Sequence, residues 1–382
     1  MAPTVVHLHI GAPKTGTTFI QDVLWANRES LKAAGVLLPG RQRYSRVHAA
    51  RDVLRWSPSG DEDLPESWRK LAGEVKRWKG RSAVLSQEFL CRMDAEQAEA
   101  IVQSFPESQV QVILTVRDVG RLVPAQWQTL MRSRKTWTLD EFADAVAGIS
   151  QEQRARSMAE HFWLRHNSRP ILERWAGIVG RDQVRVVTVP PSGGDPDQLW
   201  QRFCQAADLD AATTQPVEAS HESLGAASSE VMRRLNADPT IQSMSLPSYQ
   251  QTVNGALSRR VLGHRRSHEP GLALPEAHRP WAEREASRLI ADLEAAGFDI
   301  IGDLEDLRPQ PSRHDPVSPD LLPAGVLLEA AIEGLAGLAA EQVKLNNNEP
   351  QVKKFKPLPR NADSSNPSSR LRTAYRRLKP RR

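Results

Sequence analysis

Eight residues near the amino terminus carry the densest chemistry in this chain: Gly11-Ala12-Pro13-Lys14-Thr15-Gly16-Thr17-Thr18. They follow the apolar run Val5-Val6-His7-Leu8-His9-Ile10 and lead into a helical pattern with Phe19, Ile20, Val23, Leu24 and Leu31 on one face. A strand, a glycine loop and a helix start together make a phosphate cradle, because the N–H groups of the first helical turn converge on an anion that the helix dipole also favours. In the triphosphate loop G-x-x-x-x-G-K-[ST], the lysine reaches the β- and γ-phosphates and the last hydroxyl binds Mg²⁺. Here Gly11, Gly16 and Thr18 keep that spacing, but Thr17 stands at the lysine position and the lysine is Lys14, on the loop crest. A cation there lies against a group attached directly to the first phosphate. The loop therefore suits a nucleotide with one 5′-phosphate carrying a transferable group. A P-loop kinase or nucleoside triphosphatase is the alternative. It lacks the lysine at Thr17 and a clear acidic strand-end ligand for Mg²⁺.

Two more strand ends offer polar groups. Val112-Ile113-Leu114-Thr115-Val116 runs into Arg117-Asp118, and Ala83-Val84-Leu85-Ser86 runs into Gln87-Glu88. The carboxyl edge of a parallel sheet is where such folds bind ligands. A guanidinium at that edge suits a phosphate, with an ion pair to Asp118 as its structural alternative. Glu88 is a candidate general base, or else a helix-start carboxylate favoured by the local dipole. His48, between the first helix and the Glu88 strand, is the rival base; a structural histidine is its other reading. Alternation places His7 and His9 on the strand face opposite Val6, Leu8 and Ile10.

Pro13-Lys14-Thr15-Gly16-Thr17-Thr18 resembles the 5′-phosphosulfate loop of sulfotransferases that use 3′-phosphoadenosine 5′-phosphosulfate (PAPS). His9 to Thr18, followed by Gln21, resembles the bacterial branch. The resemblance spans roughly residues 4–309 and is strongest at the start and around 110–130. It implies a P-loop-type, three-layer α/β fold with a central parallel sheet, PAPS as co-substrate and no metal. It implies Arg117 as the 3′-phosphate arginine. The serine expected eight residues later is Ala125, so Arg121, Arg132 or a backbone N–H has to compensate, or donor affinity falls. That departure keeps a non-catalytic binding protein on the same scaffold as a further alternative. Ser223-Leu224-Gly225 and Arg233-Arg234-Leu235-Asn236 also resemble the bacterial branch. The eukaryotic Arg-Lys-Gly loop is missing, and Arg259-Arg260 with His264-Arg265-Arg266 occupies the comparable region. Sulfonate transfer needs a base for the acceptor and a group to stabilise the leaving phosphate oxygen. Lys14 fits the second task, and Glu88 or His48 the first. The expected acceptor is a hydroxyl or amine on a carbohydrate, glycolipid or small metabolite.

The chain of 382 residues holds 51 Lys or Arg and 46 Asp or Glu. Eleven of the basic residues and one acid, Asp363, fall in residues 351–382, so that tail carries about +10 and the remainder about −5. The basic balance is a property of the tail and gives no reason to expect a nucleic-acid-binding core. Its Pro, Ser and Asn content predicts disorder, and the charge of Leu371 to Arg382 suits anionic membrane lipid or nucleic acid, with a solvated tail as the alternative. Cys91 and Cys204 form no disulfide or metal pattern; the amino terminus lacks a leader pattern, and the cytoplasm is the expected compartment. Expected strands are Val5–Ile10, Ala83–Ser86, Val110–Val116 and Val184–Val189, with helices between them, which predicts a parallel sheet covered on both faces. The expected division is a domain over 1–309, a linker and possible helix over 310–345, and the tail over 346–382.

Overall fold

The computed structural model describes residues 4–56, 63–195, 197–217, 223–267, 269–310 and 318–348. Six strands form one parallel sheet: β1 Val5–Gly11, β2 Val36–Leu37, β3 Ser82–Ser86, β4 Gln109–Val116, β5 Val184–Thr188 and β6 Asp299–Ile301, in the order β2-β3-β1-β4-β5-β6. The first strand is therefore central, with β3 on one side and β4 on the other. At this switch of winding direction the loops leave the sheet on opposite sides and open a crevice at its carboxyl edge.

Strand alternation sorts the core into two layers. Val6, Leu8, Ile10, Leu85, Val112, Leu114 and Val186 face the helices Ser45–Arg55, Glu66–Arg77, Ala95–Gln103 and Ser168–Val179. On the other face Val84, Ile113 and Val187 meet Ile20, Val23 and Leu24 of the helix Thr17–Ala26 and Phe203 of Gln198–Ala206. A further helical core joins Val119–Met131, Leu139–Val146 and Gln153–His166 to the segment 224–262, with Trp127, Phe142, Met131 and Tyr249 at its centre. This three-layer α/β arrangement is the one anticipated from the alternation of strands and helices.

The differences have local causes. β2 and β6 are edge strands of two and three residues, too short to show a period. The helix expected over 18–34 is broken at Asn27. Its side chain donates to Val23 O (2.9 Å) and Gln215 O (3.0 Å) and accepts from Gln215 N (2.7 Å), a long-range tie made by a residue whose side chain competes for backbone partners. The stretch 241–281, expected to be irregular, contains short helical turns and a π-helix over Gln250–Val261. The compact unit runs past Pro309 to Leu338, because Leu327 and Ala330 are buried against Ala227 and Leu322. The second unit, Ala339–Arg382, is described only through the end of the helix Ala324–Asn348, with an ion pair between Lys344 and Glu341. The basic tail and its expected membrane contact lie outside the described residues. Among those residues no helix is long and apolar enough to cross a membrane.

His7, His9 and His166 are buried in this frame. Burial pushes His7 down to about 4 and His9 down to about 3; burial, helped by the charges of Arg165 and Lys14, pushes His166 down to about 3. Each ring is thus neutral in the fold and takes up a proton near pH 6.5 once unfolded, so its contribution is complete above pH 6.5 and lost as pH falls toward its folded value. We expect the unfolding free energy to fall between pH 6.5 and 5, above the ordinary carboxylate range, by on the order of 1 kcal/mol per ring per pH unit, and the melting temperature with it. Thermal denaturation at pH 8, 6.5, 5.8 and 5 checks this, and a flat profile refutes it. His9→Asn, which removes one of the three titrations, should make the fall shallower.

Candidate active site

The loop after β1 turns over the sheet edge in a conformation that its residues have to accommodate. Gly11 has φ +111°, Lys14 φ +65° and Gly16 φ +83°. A side chain at Gly11 would bring a Cβ to 3.0 Å from Glu88 Cα, so the glycine lets the Glu88 backbone lie directly against the loop. Gly16 caps the helix Thr17–Ala26 without a side-chain acceptor, and no acidic residue occupies the first turn. The donors of that turn are thus left for an external anion.

Beneath the loop a buried polar chain crosses three strands. Ser86 Oγ of β3 lies 2.7 Å from His9 Nδ1, and His9 Nε2 lies 3.3 Å from Thr115 Oγ1 of β4. Thr115 Oγ1 donates to Gly11 O (2.8 Å) and also contacts Thr15 Oγ1, which donates to Ala12 O (2.5 Å). Because the Thr115 proton is directed at Gly11, its oxygen accepts from His9 Nε2–H. Nδ1 then accepts from the Ser86 hydroxyl, which assigns the neutral tautomer. The three loop threonines differ in setting: Thr15 is buried in the brace, while Thr18 is exposed at the helix start and Thr17 is buried beside it.

Glu88 stands where β3 ends, half-buried, and its Oε2 accepts from Gln21 Nε2 at 2.9 Å. The structure therefore brings Gly11, Glu88 and Gln21 together. Gln21 was part of the sequence resemblance, but its partner was not foreseen. Its place one helical turn after Thr17 was the available signal. His48 is exposed on the helix Ser45–Arg55, one turn before Arg51, whose guanidinium lies 5.1 Å from the Phe89 ring. It approaches the site through that helix and has no hydrogen bond to Glu88 or the loop.

The arginines divide their tasks. Arg117 donates from Nη1 to Lys14 O (3.0 Å) and supports the crest from behind, while its Nε is buried with no hydrogen-bond partner. Burial and the nearby charge of Arg121 push it down to about 10, against the opposing pull of Asp118, and it remains a cation at neutral pH. Arg121 is held by Asp118, by Pro190 O (2.8 Å) and by Val189 O (3.2 Å), clamping the exit of β5. These contacts occupy the guanidinium, so the expected substitution for a serine at position 125 is not made by Arg121 in this arrangement. Ala125 is half-buried on Val119–Met131, and Arg132, two turns on at the end of that helix, donates to Ser258 Oγ (3.2 Å) in the π-helix. Pro13 and Lys14 are half-buried on the crest. Arg265 pairs with Glu269 and Glu333, and Arg266 donates to Ser223 Oγ (3.1 Å), so both have partners away from the loop.

No protein-family model and no curated protein matches the chain. Among solved structures it is similar to a sulfotransferase from Alicyclobacillus acidocaldarius, at 17% identity and a TM-score of 0.35, over 64% of this chain and 98% of that one. It is also similar to the sulfotransferase domain from the curacin biosynthetic pathway, at 13% identity and a TM-score of 0.32, over 76% of this chain and 98% of that one.

Thr115→Val keeps the shape and removes the central hydroxyl of the brace. His9 Nε2 and Thr15 then lose a buried partner, and we expect a stability loss of about 1–3 kcal/mol. Denaturant unfolding measures it. A loss below about 0.5 kcal/mol would show that the brace is dispensable.

Proposed function

We propose that the protein transfers a sulfonate group from PAPS to a hydroxyl or amine of a carbohydrate, glycolipid or small-metabolite acceptor, acting in the cytoplasm. The observation that carries this reading is the uncapped helix start behind Lys14, with the Glu88 backbone against the same loop at Gly11 and its carboxylate held by Gln21 of that helix. One phosphate fits that cradle: the first-turn N–H groups and the Thr18 hydroxyl supply donors, and the first turn contributes no opposing charge. Arg117 Nε, buried and unbonded, is a donor suited to the 3′-phosphate end of the same nucleotide.

In the transfer, the acceptor oxygen forms the new bond to sulfur as the bond from sulfur to the 5′-phosphate oxygen breaks. Glu88 accepts the acceptor proton, and Gln21 holds the carboxylate in place through Oε2, leaving Oε1 for that proton. Lys14 on the crest balances the charge that grows on the leaving phosphate oxygen. The product nucleotide is 3′-phosphoadenosine 5′-phosphate. Arg117 anchors the Lys14 carbonyl and so fixes the crest while the charge moves.

Saturating 3′-phosphoadenosine 5′-phosphate should raise the melting temperature. Ligand at about 100 times its dissociation constant adds about 2.7 kcal/mol. ATP-Mg²⁺ should do much less, and Lys14→Ala should reduce the shift. Stabilisation by ATP-Mg²⁺ alone would overturn the assignment in favour of a triphosphate site. With an acceptor in hand, Glu88→Gln should lower kcat by about 10²–10⁴-fold at unchanged nucleotide affinity. Full activity in that variant would remove Glu88 as the base.

A further inference from the structure

A pair of arginines beside Glu88 has no counter-charge. The turn Glu88–Arg92 that follows β3 packs on the carboxyl end of the helix Gln153–His166. The Cys91 thiol joins the two, 3.0 Å from Glu88 O and 3.9 Å from Arg165 O. Arg92 and Arg165 are thereby placed together on one flank of Glu88, both half-buried. Arg92 Nε is buried with no hydrogen-bond partner, and Arg165 donates only to the carbonyl of His161, one turn earlier. Among the described residues neither guanidinium meets a carboxylate. Other buried or half-buried arginines have a carboxylate, as Arg121 has Asp118, Arg202 has Asp306, Arg233 has Glu230 and Arg265 has Glu269, or are held by carbonyls from other segments, as Arg46, Arg117, Arg134 and Arg174 are.

The surroundings strengthen the imbalance. Burial and Arg92 together lower the pKa of Arg165. That of exposed His161 is lowered by partial burial and then by Arg165, Arg92 and Lys135, all cations. A guanidinium kept half out of water without a partner is costly, and its planar donor fork matches a carboxylate, sulfate or phosphate. Arg92 follows β3, on one side of β1, whereas Arg117, the candidate for the nucleotide's 3′-phosphate, ends β4 on the other. Arg165 reaches Arg92 from the helix Gln153–His166.

We propose that the acceptor is itself an oxyanion, with Arg92 and Arg165 forming a subsite for its carboxylate, sulfate or phosphate while its hydroxyl reaches Glu88. This rests on the reading of Glu88 and the loop given above. Specificity then comes from a charge on the acceptor that takes no part in the transfer. Neutral sugars lose that anchor and leave the two guanidinium groups unpaired, which disfavours them further.

The test uses the full chain saturated with 3′-phosphoadenosine 5′-phosphate and two probes, p-nitrophenyl β-D-glucuronide and p-nitrophenyl β-D-glucoside. They differ only in a carboxylate against a hydroxymethyl group. Binding followed by saturation-transfer NMR and calorimetry should favour the glucuronide by about tenfold or more. R92Q and R165Q should each remove most of that preference, and together all of it. The affinity of each variant for the nucleotide should stay that of the parent chain, which also reports that the variants fold. Equal binding of the two probes, binding of neither, or a preference that survives both substitutions would overturn the proposal. A loss confined to nucleotide affinity would also overturn it, assigning the pair to the donor's 3′-phosphate. Failure of the parent chain to bind the nucleotide at all would be a failure of the sulfonate-transfer reading, and is distinguished by that first measurement.

Discussion

The buried polar line from Ser86 through His9 to Thr115, with Thr15 in contact at its end, is the constraint on which the loop depends. A parallel sheet holds its strands by backbone ladders, but the ladders stop where the loops begin. In this protein side chains continue the connection for one more layer. Thr115 also takes up the Gly11 carbonyl, which lies where the β1–β4 register slips between His9 and Gly11. The brace is high in stakes because it is buried: complete, it rigidifies the loop, and with one member missing it leaves donors and acceptors stranded. It also requires a neutral imidazole, since a second N–H on His9 would face the Ser86 hydroxyl as a donor and be forced to reorient it.

Above the brace, charge is segregated. The first turn of Thr17–Ala26 has no acid, Lys14 crowns the loop, and Arg117 stands behind it. The one carboxylate brought to the loop, Glu88, is tied to an uncharged amide, that of Gln21. The amide fixes the direction of the carboxylate through a neutral donor, and Arg117 likewise holds the crest through a neutral carbonyl.

Much of this was legible in the sequence because it rests on local pattern. The long central strands, the loop and the Glu88 and Arg117 strand ends are all read from contiguous residues, and the opposite-face placement of His7 and His9 follows from a period of two. What escaped depends on pairs distant in the chain. Gln21 meets Glu88 across 67 residues, and Arg165 meets Cys91 across 74. Asn27 breaks a helix for a partner at Gln215 that no local propensity announces. The extent of the compact unit was hidden for the same reason. The apolar positions of Ala324–Asn348 mark a helix, but only contact with Ala227 shows that its first half belongs to the core.

The position of Ala125 follows from how its helix is used. Residues 125, 128 and 132 lie along one stripe of Val119–Met131, and the last two are committed to the helical layer: Gln128 donates to Leu224 O (2.5 Å) and Arg132 to Ser258 Oγ. A hydroxyl at position 125 would add a polar group to a stripe whose neighbours already face protein. The segment 224–258 that covers this stripe ends in a π-helix, whose wider turn brings Asn254 and Ser258 into the interior. The helix that follows the Arg117 strand thus holds two layers together, clamped at its start by Arg121 and Asp118 and along its length by Gln128 and Arg132. Position 125 thus sits on a helix whose neighbouring polar side chains hold the layers together, while Arg117, at the end of β4, keeps a buried Nε with no hydrogen-bond partner.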